Sequence, residues 1–425
     1  MSGTTDPASP SRITVVGIGA DGWAGLPPRT RELVLGAAVV LGGKRHLALL
    51  PDVPGQRRTP WPSPLRAGLP ALLASLSGAP GGGTLGDRAL GGGAVVAIAS
   101  GDPLVSGIGT ALIELLGRDV VTVVPAVSSV ALARAELGWP AESCAVVSVT
   151  GGDPSLVLRE LAPGRRVLVL SADERTPGQV ARLLASAGYG ASAMTVLGDL
   201  GSEQASRRSG TAQTWPETAD PEPLPRLNII ALDLAGPRAG GWVAGLPDDA
   251  FEHDGQLTKR DLRASALARL APAPGEHLWD VGAGAGSVGI EWMRAHPGCA
   301  ATAVESVPER AARIARNAVK LGVPGLQVVT GPAPEALAGL PAPDAVFVGG
   351  GATSEGVLRT CLDALRPGGR LVVHGVTLQT ERVLADAYLR HGGELTRVTV
   401  ETAAPLGAFT GWTPARTVVQ WAVTR

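Results

Sequence analysis

Short apolar runs rich in Val, Ile and Leu alternate along this chain with stretches whose apolar residues return at helical spacing. In the first part, the runs at 13–17, 95–100, 120–124, 144–149, 167–170, 194–197 and 228–232 predict strands. Helices are predicted between many of them, such as 65–76 and 176–187. Strands that alternate with helices build an α/β fold. The 78–93 stretch is glycine-rich and reads as a surface loop. Ala235-Gly236-Pro237-Arg238-Ala239-Gly240-Gly241 opens an interdomain linker, placed at 235–245. From 246 to 425 the alternation resumes, with helices at 260–270, 288–295 and 308–321. Its strands begin at Leu278 and Ala301 and continue at 326–329, 345–348, 371–374, 395–400 and 417–421. Two domains are expected, 12–234 and 246–425, and their differing glycine motifs predict two unlike folds.

The most telling segment is Leu278-Trp279-Asp280-Val281-Gly282-Ala283-Gly284-Ala285-Gly286-Ser287, which reads as strand, tight turn and helix start. Its glycines let the backbone bend sharply and let a ligand approach where a Cβ would stand. The next strand ends in Glu305, a carboxylate placed to accept hydrogen bonds from ribose hydroxyls. A dinucleotide fingerprint spaces its glycines G-x-G-x-x-G, whereas this loop reads G-x-G-x-G. Asp280 would repel a pyrophosphate but suits the amino group of a methionine moiety. The loop therefore favours S-adenosylmethionine over NAD.

In the first domain, three loops follow predicted strands: Gly17-Ile18-Gly19, Gly101-Asp102-Pro103 and Pro125-Ala126-Val127-Ser128-Ser129. Each alone is a common turn or cap. Together they lie at the carboxyl ends of strands, where open α/β sheets bind ligands.

The length of 425 residues exceeds one ordinary domain, and 45% hydrophobic against 18% charged residues supplies ample core. A net charge of −1 and the absence of a basic tract argue against a general affinity for nucleic acid or an anionic membrane. Cys144, Cys299 and Cys361 are widely spaced and form no zinc pattern, which suits a reducing cytoplasm. No secretory signal opens the chain, and no apolar run is long enough to span a bilayer without a charge.

The first-domain loops, with Leu41-Gly42-Gly43-Lys44-Arg45-His46, resemble the tetrapyrrole methylases of cobalamin biosynthesis. The second domain resembles their decarboxylating methyltransferase counterpart. That likeness rests on residues 245–255, Leu257-Thr258-Lys259-Arg260, the Gly282 loop and Asp344-Ala345-Val346-Phe347-Val348-Gly349-Gly350-Gly351. The pairing in this order resembles the fused precorrin-6Y C-5,15-methyltransferase (decarboxylating) family. The resemblance implies a tetrapyrrole methylase fold of two α/β subdomains, followed by a Rossmann-like class I methyltransferase domain. It implies methylation of a reduced tetrapyrrole (precorrin-6Y/6B) at C-5 by the first domain. The second domain would methylate C-15 and decarboxylate the C-12 acetate side chain, with S-adenosylmethionine as donor to both.

The resemblance also assigns residues. Gly101, Asp102 and Pro103 would line the first cofactor cleft, with Ser128 and Ser129 facing the methionine or adenine part. In the second domain, Gly282, Ala283, Gly284, Ala285 and Gly286 would wrap the cofactor, Glu305 would take its ribose, and Thr258 and Ala333 would complete the pocket. Gly349, Gly350 and Gly351 would form a flat wall for the macrocycle. His253 is either a proton donor near the ring or a loop histidine capping local backbone. Lys259 and Arg260 either hold substrate carboxylates or form a solvated helix start. The chain departs from the family pattern at Val149-Thr150-Gly151-Gly152-Asp153, where relatives carry His-Gly-Arg. No metal is expected. Related domains form dimers and tetramers, so a homo-oligomer is expected. The alternative function is an S-adenosylmethionine-dependent RNA methyltransferase. Against it, Val348-Gly349-Gly350 replaces the Asp/Asn-Pro-Pro-aromatic run that holds a flipped base.

Overall fold

The computed structural model describes residues 13–76, 94–215, 223–238 and 241–425. The glycine-rich 78–93 stretch, Arg12 and part of the expected linker lie outside the described residues. The chain divides into two compact units, Met1–Gly152 with Gly164–Ala235, and Asp153–Pro163 with Gly236–Arg425.

The first unit holds two sheets. Strands β1 (Ile13–Ile18), β2 (Val39–Gly42), β3 (Arg57–Pro60), β4 (Val95–Ser100) and β5 (Val121–Val124) form a parallel sheet in the order β3-β2-β4-β1-β5. The central strands β1 (Ile-Thr-Val-Val-Gly-Ile) and β4 (Val-Val-Ala-Ile-Ala-Ser) are almost wholly apolar and buried, as expected of strands covered on both faces. The second sheet comprises β6 (Cys144–Ser148), β7 (Arg166–Leu170), β8 (Ala193–Gly198), β9 (Ser206–Thr211) and β10 (Asn228–Asp233), ordered β6-β7-β10-β8-β9 and largely antiparallel. Pattern reasoning missed β2, β3 and β9. The first two are only four residues long. β9, reading Ser-Arg-Arg-Ser-Gly-Thr, is an exposed edge with no apolar alternation to find.

The second unit is a seven-stranded sheet. Its strands are β11 (His277–Val281), β12 (Ala300–Glu305), β13 (Gln327–Thr330), β14 (Ala345–Val348), β15 (Arg370–Gly375), β16 (Glu394–Val398) and β19 (Val418–Thr424). The order is β13-β12-β11-β14-β15-β19-β16, parallel except for β19. A separate two-stranded ribbon, β17 (Glu401–Leu406) and β18 (Phe409–Pro414), stands outside that sheet. The ribbon was not predicted, and neither were helices Val357–Ala364 and Leu378–His391. Among the described residues, no helix is long and apolar enough to cross a membrane. Cys144, Cys299 and Cys361 are free thiols, and burial pushes Cys361 up to about 12.

Candidate active sites

In the first unit, the loops after β1, β4 and β5 converge. A Cβ on Gly17 would run into the Gly101 carbonyl, the Ala126 side chain and Pro103, so only glycine lets the three loops close together. Gly101, at φ +56°, donates its N–H to the Ile18 carbonyl at 2.8 Å. The Asp102 carboxylate accepts from Leu104 N at 2.8 Å, which shapes the turn, and the Pro103 carbonyl accepts from Gly109 N. Ser128 caps the helix Ser129–Leu137, its Oγ accepting from Ala131 N at 3.1 Å.

A cavity of about 310 Å³ opens beside these loops, lined by Gly101 and Ser129 among others. Arg45, His46, Ser106, Ser171, Asp199 and Asn228 also line it. Ser106 and Asp199 hold φ at 53° and 43°, and they are two of the three described non-glycine residues with positive φ. Such backbone strain collects where a surface is shaped for a ligand. Burial first, then the Arg45 charge, push His46 down to about 4, so it is neutral at neutral pH.

In the second unit, the glycine loop leaves β11 with Gly282, Gly284 and Gly286 at φ +67°, +60° and +75°. A Cβ on Gly282 would stand 2.7 Å from the Gly350 carbonyl, and one on Gly286 would strike Ile314 at 2.6 Å. The loop after β11 and the loop after β14 are thus packed backbone against backbone. Glu305, buried at the end of β12, accepts from Gly284 N at 2.8 Å and Val307 N at 3.0 Å. Gln256 lies over the loop, since a Cβ on Gly284 would meet its carbonyl at 2.8 Å.

The segment 245–258 forms an arm across this site. Arg263 and Glu291, both buried, pair at 2.6 Å, and the Arg263 Nη groups also donate to the Leu246 and Thr258 carbonyls. Glu291 accepts from Gly245 N at 2.6 Å and Leu246 N at 2.9 Å. Farther along the arm, Asp254 binds Arg310 and Arg313, Glu252 binds Arg316, and the Ala250 carbonyl accepts from Lys320. Hydrogen bonds from Arg310 first, then from the Gln256 N–H and Arg313, hold the Asp254 carboxyl well below the usual carboxylate range. Asn317 completes the tie: Oδ1 accepts from Glu252 N, and Nδ2 donates to the Glu252 and Ala285 carbonyls.

Residues 12–215 match the family of tetrapyrrole (corrin/porphyrin) methylases, and residues 249–425 match the precorrin methyltransferase domain. A precorrin-6Y C(5,15)-methyltransferase (decarboxylating) from Sinorhizobium sp is 44% identical over 419 residues, covering 97% of this chain and 96% of that protein. One of the same name from Mycobacterium tuberculosis is 44% identical over 414 residues, covering 97% and 100%. The chain belongs to the decarboxylating precorrin-6Y C(5,15)-methyltransferase family. Among solved structures, the C-terminal domain of precorrin-6Y C5,15-methyltransferase from Rhodobacter capsulatus is 44% identical. It covers 44% of this chain and 100% of that one, with a TM-score of 0.42.

Within this methyltransferase, the anticipated architecture of a tetrapyrrole methylase unit and a Rossmann-like unit is present. Gly101 and Ser129 line the first cavity, whereas Asp102, Pro103 and Ser128 serve to fold its loops. In the second unit, Gly282 to Gly286, Glu305, Gly349 and Gly350 come together, and Gly351 follows at φ +81° with Ser354 as its neighbour. Thr258 contributes its carbonyl to Arg263, and Ala333 is half-buried. Lys259 pairs with Asp248 at 3.6 Å, and Arg260 is exposed in the first turn of its helix. His253 is exposed, its Nδ1 accepting from Gly255 N at 3.1 Å. Asp280, expected to face an amino group, is buried instead, and its Oδ2 accepts from Gly289 N at 2.9 Å. Sequence reasoning missed Asn317, Arg263 and Glu291. The available signal was a polar residue at a helix position whose spacing is otherwise apolar: Asn317 shares a face with Ala311, Ile314 and Ala318.

Proposed function

We propose that this chain transfers methyl groups from S-adenosylmethionine to C-5 and C-15 of a reduced tetrapyrrole of the precorrin-6Y/6B type. In the same process it removes carbon dioxide from the C-12 acetate. The first unit (12–234) serves C-5, and the second (246–425), beyond the 235–245 linker, serves C-15 and the decarboxylation. The observation that carries this reading is a pair of unlike sheets, each with converging glycine loops at its strand ends.

The residues fit the donor. In the second unit the loop at 282–286 is a cradle that side chains would fill, and Glu305 stands at the adjacent strand end. In the first, Gly101 and Ser129 border a cavity with unpartnered polar atoms. The donor supplies an electrophilic methyl group. The protein's part is in-line placement of the acceptor carbon in a site that excludes water. Gly349, Gly350 and Gly351 leave room for the flat face of a macrocycle, and Thr258 and Ala333 border the donor pocket. Decarboxylation breaks a carbon–carbon bond and leaves an electron pair that the conjugated ring disperses, so the chain need only return a proton. His253 is the proposed donor, and because Nδ1 is engaged, the proton leaves from Nε2. Lys259 and Arg260 are proposed to hold side-chain carboxylates.

A homo-oligomer is proposed as well. The β17–β18 ribbon exposes Leu406, Phe409 and Trp412, and an isolated two-stranded ribbon gains little stability by itself. The three unpaired thiols support a reducing, cytoplasmic setting. The relatives named above are precorrin enzymes, which favours a tetrapyrrole over an RNA acceptor.

The test is mass spectrometry of products from two full-length variants. Gly17→Val is expected to give one methyl with loss of carbon dioxide. Gly282→Val is expected to give at most one methyl with no such loss. Mixing the two should restore the doubly methylated, decarboxylated product. Carbon dioxide release by Gly282→Val would overturn the division of labour.

A further inference from the structure

We propose that Arg45, braced by a neutral His46, is a carboxylate-binding site in the cavity of the first unit. The proposal rests on reading that cavity as a methyl-transfer site. Both reactants there carry carboxylates: the methionine part of the donor and the side chains of the acceptor.

Arg45 Nη2 stands 2.7 Å from His46 Nε2. A guanidinium can only donate, so Nε2 accepts and the ring proton sits on Nδ1. Among the described residues, this is the one hydrogen bond Arg45 makes, and no carboxylate forms an ion pair with it. Asp199, across the cavity lining, acts on it only through space. The second unit's arginines contrast with this. Arg263, Arg310, Arg313 and Arg316 are each paired with a carboxylate. An acidic brace would neutralise Arg45, whereas a neutral imidazole fixes its direction and leaves its charge for a ligand. The guanidinium fork matches a carboxylate in two parallel hydrogen bonds.

A second observation is independent of Arg45. His46 Nδ1, Ser171 Oγ and Asn228 Oδ1 are buried without a partner, and all three residues line this cavity. Asn228 has already committed its Nδ2 to the Asp173 and Pro225 carbonyls, so Oδ1 is the acceptor left over. Unsatisfied buried polar atoms destabilise a fold, so their gathering in one cavity marks a surface completed by a polar ligand.

The test measures steady-state constants of the C-5 step in the full chain, with the C-15 step as an internal control for enzyme concentration and the C-5 KM of the other reactant as the control for folding of the first unit. Arg45→Gln should raise one KM at least tenfold while the C-15 step stays unchanged, with Arg45→Lys recovering part of the loss. A rise confined to S-adenosylmethionine assigns the methionine carboxylate, and one confined to the acceptor assigns a ring side chain. Equal constants for Arg45→Gln and the unaltered chain would overturn the proposal. The unaltered chain offers a further check that needs no variant. Its C-5 KM for the acceptor with esterified side chains, or its inhibition by S-adenosylhomocysteine carboxamide, should be worse than with the free acid. If neither differs, the site does not bind carboxylate. Absence of any C-5 methylation by the unaltered chain would instead defeat the underlying functional reading.

Discussion

Arg263 donates through Nε to Glu291 Oε1 at 2.6 Å, and both side chains are shut off from solvent. Neither charge is idle, because Arg263 also reaches two arm carbonyls while Glu291 accepts two arm N–H groups. Removing Glu291 leaves the buried Arg263 only the partly exposed Asp248 carboxylate, 3.3 Å from Nη1, as counter-charge. Glu291→Gln is therefore expected to cost about 3 kcal/mol in the unfolding of the second unit. The double change Arg263→Met with Glu291→Leu should cost less than that single one. Urea unfolding checks both, and a wild-type midpoint for Glu291→Gln would show that the pair does not hold the arm.

Asn317 joins the arm to the glycine loop with three hydrogen bonds from a fully buried side chain. Asn317→Ala leaves those backbone groups unpaired at about 1–3 kcal/mol apiece. The expected outcome is a more than tenfold loss of the C-15 step with the C-5 step intact. Counting methyl groups in the product by mass spectrometry separates the two. A doubly methylated product formed at the normal rate would mean that the arm closes without this tie.

What could be read in the chain was local. Gly282, Gly284 and Gly286 follow a strand and open a helix, and the structure holds all three at positive φ. The helices Leu65–Leu76 and Arg260–Leu270 were bounded correctly because their apolar spacing is uninterrupted. What escaped depends on partners distant in sequence. Glu291 lies in a helix of nine residues and looks like a solvated position until Arg263 and the arm are folded onto it. The strand-end position of Asp280 suggests a ligand contact, but its Oδ2 accepts from Gly289 N on the following helix. β17 and β18 carry Pro405 and Pro414 and lack a buried face, so no period-two pattern announces them.

Leu406 and Phe409 stand directly opposite each other on the ribbon, and Trp412 opposes Ala403. By strand alternation, the Trp412 pair lies on the other face. Apolar side chains thus occupy both faces, as expected of a ribbon clasped by another copy of the chain. Replacing Phe409 and Trp412 with Ser should shift the mass measured by light scattering down to that of a single chain. An unchanged mass would place the contact elsewhere or show that none forms.

Asp280 gives the second unit a dependence on pH. Burial pushes its carboxyl up to about 7, the nearby Glu305 charge adds to the rise, and the hydrogen bond from Gly289 N opposes it. The folded chain therefore holds a proton that the unfolded chain releases near the ordinary aspartate value of about 4. Between those two values the folded state binds more protons, so stability falls as pH rises through the window and levels off above it. At its steepest the slope from one such group is about 1.4 kcal/mol per pH unit. Asp280→Asn keeps an oxygen for the Gly289 N–H and cannot ionise. Chemical unfolding between pH 4 and 8 should show that Asp280→Asn loses this descending component and gains most over the unaltered chain above pH 7. Parallel curves for the two proteins would mean that Asp280 titrates in the folded chain as it does in the unfolded one.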